Sequence, residues 1–187
     1  VCLFTDHLAG FTCVEVAKML KDLGINGPDL TVRRGGLVSP ERAAVELPAA
    51  VAAFAAQSLP VPMITTTVLS ARDPMSRGVL EAAAKSGIRY YKLGYFKYDD
   101  LAQYERTIAS TRSALRELAE LNARLDLRAG MHNHAGESVG CSLWDSWEAL
   151  QGVDPARAGF YFDPAQATIE GGKTVRQLAH ELEVSNA

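Results

Sequence analysis

At 187 residues the chain is long enough for one sizeable hydrophobic core and too short to require two, so a single domain over residues 1–187 is expected. Apolar residues make up 48% and charged residues 22%, an ordinary globular balance, and a formal net charge of −3 leaves no basic footprint for nucleic acid. There is no apolar run of about 18 residues to span a membrane, and the start VCLFTDHLAG has neither the basic nor the long apolar region of an export signal. A small molecule is therefore the expected partner and the cytoplasm the expected location.

Along the chain, short β-rich apolar runs recur: VCLFT (1–5), DLTVR (29–33), VPMITTTV (61–68), IRYYKLGYF (88–96), LDLRAGMH (125–132) and AGFYFD (158–163). Between them stand segments of helical periodicity. FTCVEVAKMLKDLG and MSRGVLEAAAKSG stop at Gly24 and Gly87, as helices do. ERAAVELPAAVAAFAAQ contains Pro48, so its helix is expected to begin near that residue or to kink there. The long DLAQYERTIASTRSALRELAELNARL and the short LWDSWEALQG follow, and TVRQLAHELEVSNA reads as a sixth helix. Trp144 and Trp147, three apart, share a helix face and are expected to pack against the strands. Cys2, Cys13 and Cys141 are far apart and form neither a zinc framework nor a disulfide set.

Strands alternating with helices imply βαβ units and a parallel sheet. No GxGxxG turn follows the first strand, which argues against a dinucleotide fold. Polar residues instead gather at the C-terminal end of nearly every strand: Asp6 and His7, Arg33 and Arg34, Thr65 to Thr67, Lys92, His132 with His134, and Asp163. A ring of polar side chains at that end is how a (β/α)8 barrel builds its site, although a complete barrel takes about 250 residues.

Residues two apart on a strand share a face. Leu127, Ala129 and Met131 then face the helices, and Gly130, His132 and His134 face the barrel axis. The same parity turns Gly159, Tyr161 and Asp163 inward and Phe160 and Phe162 outward. Two neighbouring strands thus aim His132, His134 and Asp163 at one region. Imidazole with carboxylate suits Mn²⁺, Fe²⁺, Co²⁺ or Zn²⁺ and suits Ca²⁺ poorly. The plainer alternative is that each histidine only hydrogen-bonds its neighbours. Glu137, in the loop beyond the strand, is a further candidate ligand.

GINGPDLTVRRGG (24–36) with SPE (39–41), VPMITTT (61–67), GIRYYKLGY (87–95), MHNHAGESVGCSLWD (131–145) and GFYFDPAQATIEGG (159–172) stand in an order and spacing that resemble the xylose-isomerase-like TIM barrels, the sugar phosphate isomerases and epimerases related to endonuclease IV. The resemblance implies an α/β barrel of which about six βα units are present, and a divalent metal at its mouth, Mn²⁺ foremost, with Mg²⁺, Co²⁺ or Zn²⁺ as alternatives. It implies a metal role for Asp163, His134 and Glu137, and catalytic roles for His132, His134 and Lys92. His7, Arg33, Asn133 and Gln166 would meet the substrate, a sugar or sugar derivative whose proton moves next to a carbonyl.

Three departures accompany the likeness. Gln166 stands where relatives usually carry histidine, Leu37 stands where close relatives often do, and the last two strands, with their metal-binding histidine and glutamate, are missing from the sequence. The chain is accordingly expected to be part of a longer protein, or else to be closed by a second chain, with a homo-oligomer among the partners. An isomerase or epimerase is the first expectation. A keto-sugar or inosose lyase on the same site is the second, and a carbohydrate-binding barrel without catalysis is the alternative of another class.

Overall fold

Each apolar run forms a strand, and each strand is followed by a helix. The computed structural model describes residues 1–171, so the helix expected over TVRQLAHELEVSNA, with His180, lies outside the described residues. The strands are β1 (Cys2–Phe4), β2 (Gly27–Val32), β3 (Met63–Thr66), β4 (Tyr90–Lys92), β5 (Arg128–His132) and β6 (Ala158–Tyr161). The helices are α1 (Cys13–Asp22), α2 (Ala43–Ala55), α3 (Pro74–Lys85), α4 (Tyr104–Leu125), α5 (Leu143–Ala149) and α6 (Pro164–Gly171). All neighbouring strands pair in parallel, in the order β1-β2-β3-β4-β5-β6. A doubly wound sheet reverses its strand order at a switch point. This sheet does not, so its helices all fall on one side.

The sheet also curls. β2 and β6 are four strand spacings apart, about 19 Å if the sheet were flat. Yet the Tyr161 hydroxyl, on β6, donates to Asp29 Oδ2, on β2, across 3.1 Å. A tyrosine and an aspartate cannot bridge the flat distance; only closure of the sheet toward a barrel brings them together.

The outer face is apolar and dry. Leu30, Ile64, Tyr91, Leu127, Ala129 and Met131 point outward and are buried against Leu20, Leu47, Phe54, Leu80, Leu115 and Leu118 of the helices. Each such leucine contributes about 2 kcal/mol of burial. The one polar atom this layer traps on Tyr91 is satisfied, because its hydroxyl donates to Asn122 Oδ1 (3.1 Å), while Asn122 Nδ2 donates to the Arg157 carbonyl (3.0 Å).

Helix starts follow local chemistry. Thr12 and Glu15 form a reciprocal capping box on α1, and Asp73 accepts from Met75 and Ser76 at the head of α3. Gly24 and Gly87 end α1 and α3 with φ of +69° and +79°. Gly94 is required by contact, since a Cβ there would sit 2.9 Å from the Thr67 carbonyl oxygen where the loops after β3 and β4 cross.

Two expectations are corrected. A start near Pro48 is overturned, since α2 starts at Ala43, five residues before it, and carries the proline inside the helix. The proline forfeits a bond to the Ala44 carbonyl, but both residues are exposed, so water takes that acceptor. Trp144 is not packed against the strands: it is 52% exposed and meets Trp147 edge to face at 6.4 Å. The inner face of α5 is Leu143, Asp145, Ser146 and Ala149, which leaves the tryptophans on its flank. The helix α6, directly after Asp163, is one the sequence pattern did not announce.

Candidate active site

Inward residues of β2, β3, β4, β5 and β6 stack in rungs set by the register. Thr31, Thr65, Lys92, Gly130 and Gly159 align on one rung, with His132 and Tyr161 one step higher. Gly130 and Gly159 bring no side chain of their own, and the room they leave is taken by Tyr161 and Arg128, which a Cβ would meet at 3.0 and 3.2 Å. The rungs form a cavity of about 460 Å³ lined on its floor by Asp29, Thr65 and Lys92 and at its rim by Tyr95, His132 and Asp163.

The floor is buried. Asp29 is 4% exposed; Thr65 Oγ1 donates to its Oδ1 at 2.8 Å and Tyr161 to its Oδ2. Burial outweighs these two bonds and the nearby Lys92 and Arg33 charges, and raises the pKa of Asp29 above the usual carboxylate value. Lys92, also 4% exposed, donates from Nζ to the Leu93 carbonyl at 3.1 Å and lies 4.0 Å from the centre of the Tyr95 ring. Burial first, and the Arg33 charge second, push its pKa down to about 8. Arg33 itself is engaged by Asp6, whose Oδ1 accepts from its Nε at 2.9 Å.

The rim is fastened by backbone. Asn133 is buried and both ends of its amide are taken: Nδ2 donates to the Asp163 carbonyl at 2.8 Å, and Oδ1 accepts from the Asp163 N–H at 2.7 Å. Asn133 therefore holds Asp163 in place and does not line the cavity. Asp163 Oδ1 caps α6 by accepting from the N–H groups of Ala165 (2.8 Å) and Gln166 (3.0 Å), and Oδ2 faces His132 Nε2 at 3.3 Å. Burial opposes ionisation of Asp163, but the Gln166 N–H, His132 and the Ala165 N–H more than offset it and hold its pKa below the ordinary value. His132 is displaced downward, by burial first and then by the Lys92 charge.

These shifts define the tautomer. An ionised Asp163 can only accept, so the proton of a neutral His132 sits on Nε2, and Nδ1 accepts from the Tyr95 hydroxyl at 2.8 Å. Tyr95, His132 and Asp163 form one chain of hydrogen bonds along the rim.

The other expected site residues are placed as follows. His134 is exposed at the cavity mouth, with Nδ1 2.7 Å from the Ala135 carbonyl and its ring edge-on to Tyr95 at 5.4 Å. Gln166 lines the cavity and spends Oε1 on the Ala135 N–H (3.0 Å). His7 is exposed against Phe4 at 6.2 Å, and Glu137 is exposed in its loop; neither lines the cavity. Asp29, Asp6, Tyr95 and Tyr161 line it without having been named as site residues. Parity alone marks Asp29, which shares a face with Arg33, as inward. Among the described residues, no group of three or more His, Cys, Asp or Glu side chains converges as a metal shell would. His132 and Asp163 supply two donors, and the described residues do not complete the set.

No curated protein matches the sequence. Among solved structures, the 3-keto-D-glucoside 4-epimerase of E. coli superposes with a TM-score of 0.68 at 15% identity, covering 91% of this chain and 70% of that one. The D-allulose 3-epimerase of Methylomonas sp., solved in complex with D-allulose, gives 0.64 at 12% identity, covering 85% and 59%. The probable 3-DHS dehydratase of Bacillus anthracis, involved in petrobactin synthesis, gives 0.67 at 12% identity, covering 91% and 65%. At these identities the likeness is one of fold, and the chain spans between 59% and 70% of these structures' own lengths. The model of the xylose isomerase-like TIM barrel matches residues 7–185, nearly the whole sequence, and together with the six parallel βα units it shows that the chain belongs to that family.

Proposed function

We propose that the cavity serves a sugar isomerase or epimerase, which moves a proton at the carbon next to a carbonyl. The observation that carries this reading is the opposed state of its acid–base groups. Asp163 is held ionised against a neutral His132 at the rim, while Lys92, a proton donor, stands on the floor a few residues' width away. Such a split is what a proton transfer across one substrate requires, with a base at one atom and an acid at its neighbour.

In this reading the substrate lies between floor and rim. Its carbonyl oxygen faces Lys92, whose ammonium stabilises the charge that grows on oxygen as the adjacent C–H is broken. The Asp163–His132 pair takes that proton and returns it to the same or the neighbouring carbon. Asp29 and Gln166 face hydroxyls, Asp29 as acceptor or, when protonated, as donor. The family resemblance adds a divalent metal, Mn²⁺ foremost, whose chemistry would be polarisation of the substrate oxygens. His132 and Asp163 are the two described donors that approach such a set, and the mechanism above asks nothing of a third. The epimerase names of two solved relatives, one holding D-allulose, support a ketose or keto-sugar as substrate class.

The test is exchange of the substrate proton in D₂O, followed by NMR on a panel of ketoses and 3-keto sugars, with and without added Mn²⁺. Incorporation of deuterium next to the carbonyl, lost in Asp163→Asn, is the expected result. A lyase starts with the same proton abstraction and is distinguished by an unsaturated product. Saturable sugar binding with no exchange under any condition would leave a carbohydrate-binding barrel in place of an enzyme. Elemental analysis of the purified chain beside the Asp163→Asn variant reads the metal separately.

A further inference from the structure

Lys92 is unusual among the cations of this chain. Among the described residues no carboxylate lies within ion-pair distance of its Nζ, although the group is buried on the floor of a cavity lined by three aspartates facing other partners. Among the described residues the acceptor it holds is the Leu93 carbonyl. A charged ammonium in that position has lost its water and gained no counter-ion, so it gives up its proton more readily than an exposed lysine does. The charged and titratable neighbours act in both directions. Asp29 on β2 supports the charge, and Arg33, just past β2, opposes it. Tyr95 covers one side with its ring, and His132 on β5 is neutral. Lys92 lines the cavity beside Thr65, and Gly130 on the same rung makes room for the Tyr161 side chain, which a Cβ there would meet at 3.0 Å.

A desolvated lysine beside a second cation, open to a small-molecule cavity, is the arrangement that makes an amine nucleophilic at neutral pH. We infer that Lys92 is a covalent site, which condenses with the carbonyl group of a small ketose or keto sugar to form an imine. The step balances without a co-reactant. The Nζ lone pair forms a bond to the carbonyl carbon as the C=O π bond breaks. The amine proton passes to the former carbonyl oxygen, giving a carbinolamine, and that hydroxyl takes a second proton from solvent and leaves as water as the nitrogen lone pair forms C=N⁺, the nitrogen keeping its remaining hydrogen. The resulting iminium withdraws electrons from the adjacent C–H and so acidifies the proton that the rim groups face. The choice of a carbonyl sugar as ligand rests on the function proposed above; the nucleophile itself does not depend on the rim.

The test is reductive trapping of the whole chain with dihydroxyacetone and sodium cyanoborohydride at pH 7, in the presence of EDTA, followed by peptide mass mapping. An amine with its pKa near 8 has roughly two orders of magnitude more free base at this pH than an ordinary lysine. Lys92 is therefore expected to be labelled about tenfold or more faster than the exposed Lys18 and Lys21, even after its narrower access is allowed for. A Lys92→Arg variant should lose that adduct while Lys18 and Lys21 label as before. Labelling of Lys92 at or below the rate of the exposed lysines in the wild-type chain overturns the proposal, whatever the variant does. Because trapping is read by mass without metal and isomerisation by deuterium exchange, the two ideas fail separately: an adduct without exchange supports the covalent site alone, and exchange without an adduct overturns it.

Discussion

Asp29 and Asp163 open onto the same cavity, and their surroundings differ in two respects: how deeply the carboxylate is buried, 4% against 32% exposed, and what kind of donor reaches it. Asp29, on the floor, is met by two hydroxyls, from Thr65 and Tyr161, and burial prevails over them. Asp163, at the rim, is met by two backbone N–H groups at the head of α6 and by an imidazole, and these prevail over burial. Hydroxyls serve a neutral carboxyl nearly as well as a charged one, because they can donate or accept. Fixed N–H groups can only donate, so they select the anion. The difference teaches which carboxylate can act as a base at neutral pH and which is poised to keep its proton longer.

The sharpest way to break this comparison is Asp163→Asn. Asparagine caps a helix about as well as aspartate, so the change should cost under about 1 kcal/mol of stability. It removes the charge that sets the His132 tautomer, and proton exchange on the sugar should fall by about 10²- to 10⁴-fold. Equal stability with unchanged exchange would move the base away from the rim. Next in size is Asn133→Ala. The two bonds from Asn133 hold Asp163 by its backbone, and their loss leaves one N–H and one carbonyl without a partner in a part-buried position. Urea denaturation should show a loss of about 3 kcal/mol. A loss under about 1 kcal/mol would mean that α6 holds itself in place without the bracket.

Those two substitutions also mark how far the sequence could be read. Period-two alternation turned Leu127, Ala129 and Met131 outward and His132 and Tyr161 inward, and the burial of each follows that parity. It could do so because parity is a property of one strand. Asn133 shows where that ends: the residue after the strand carries the next parity, but its partner is backbone 30 residues away, and no local pattern encodes that pairing. Asp29 was visible as inward by parity with Arg33, yet its meeting with Tyr161 depends on the curl of four strand spacings. Trp144 failed for the opposite reason. A three-residue spacing says that two side chains share a face, and it does not say which face the helix buries.

A smaller effect separates Lys92 from both aspartates. Lys92→Met replaces a buried, unpaired cation with an apolar chain of similar length and should raise stability at pH 7 by on the order of 2 kcal/mol, while lowering exchange. Its folded pKa, about 8, lies below the ordinary 10.5 of the unfolded chain. Between those values the unfolded state binds more protons, so wild-type stability contributed by this group rises with pH across that window and is lost as pH falls through 8. The stability gap between Lys92→Met and wild type, measured by urea titration, should therefore narrow from pH 7.5 to pH 10 or so. A constant gap would show that the lysine is charged and satisfied in the native state.

The smallest change returns to the floor carboxylate and tests the comparison at its weaker end. Asp29→Asn keeps one acceptor oxygen for one hydroxyl, and its NH₂ can donate to the other, since Thr65 and Tyr161 can each reverse their bonds. The geometry should survive, with stability at pH 7 equal to wild type or higher by at most about 1 kcal/mol. The sign with pH follows from the raised pKa of Asp29. Its contribution is fully present below the ordinary carboxylate value of 3.8 and is lost as pH rises through the higher folded value. The wild type should thus lose ground to the asparagine variant as pH is raised from about 4 toward neutrality, whereas against Asp163→Asn it should gain ground in a lower window, as pH rises from the lowered folded value to 3.8. If both variants drifted in the same direction, each in its own window above or below 3.8, the division of the cavity into an acid floor and a basic rim would fall.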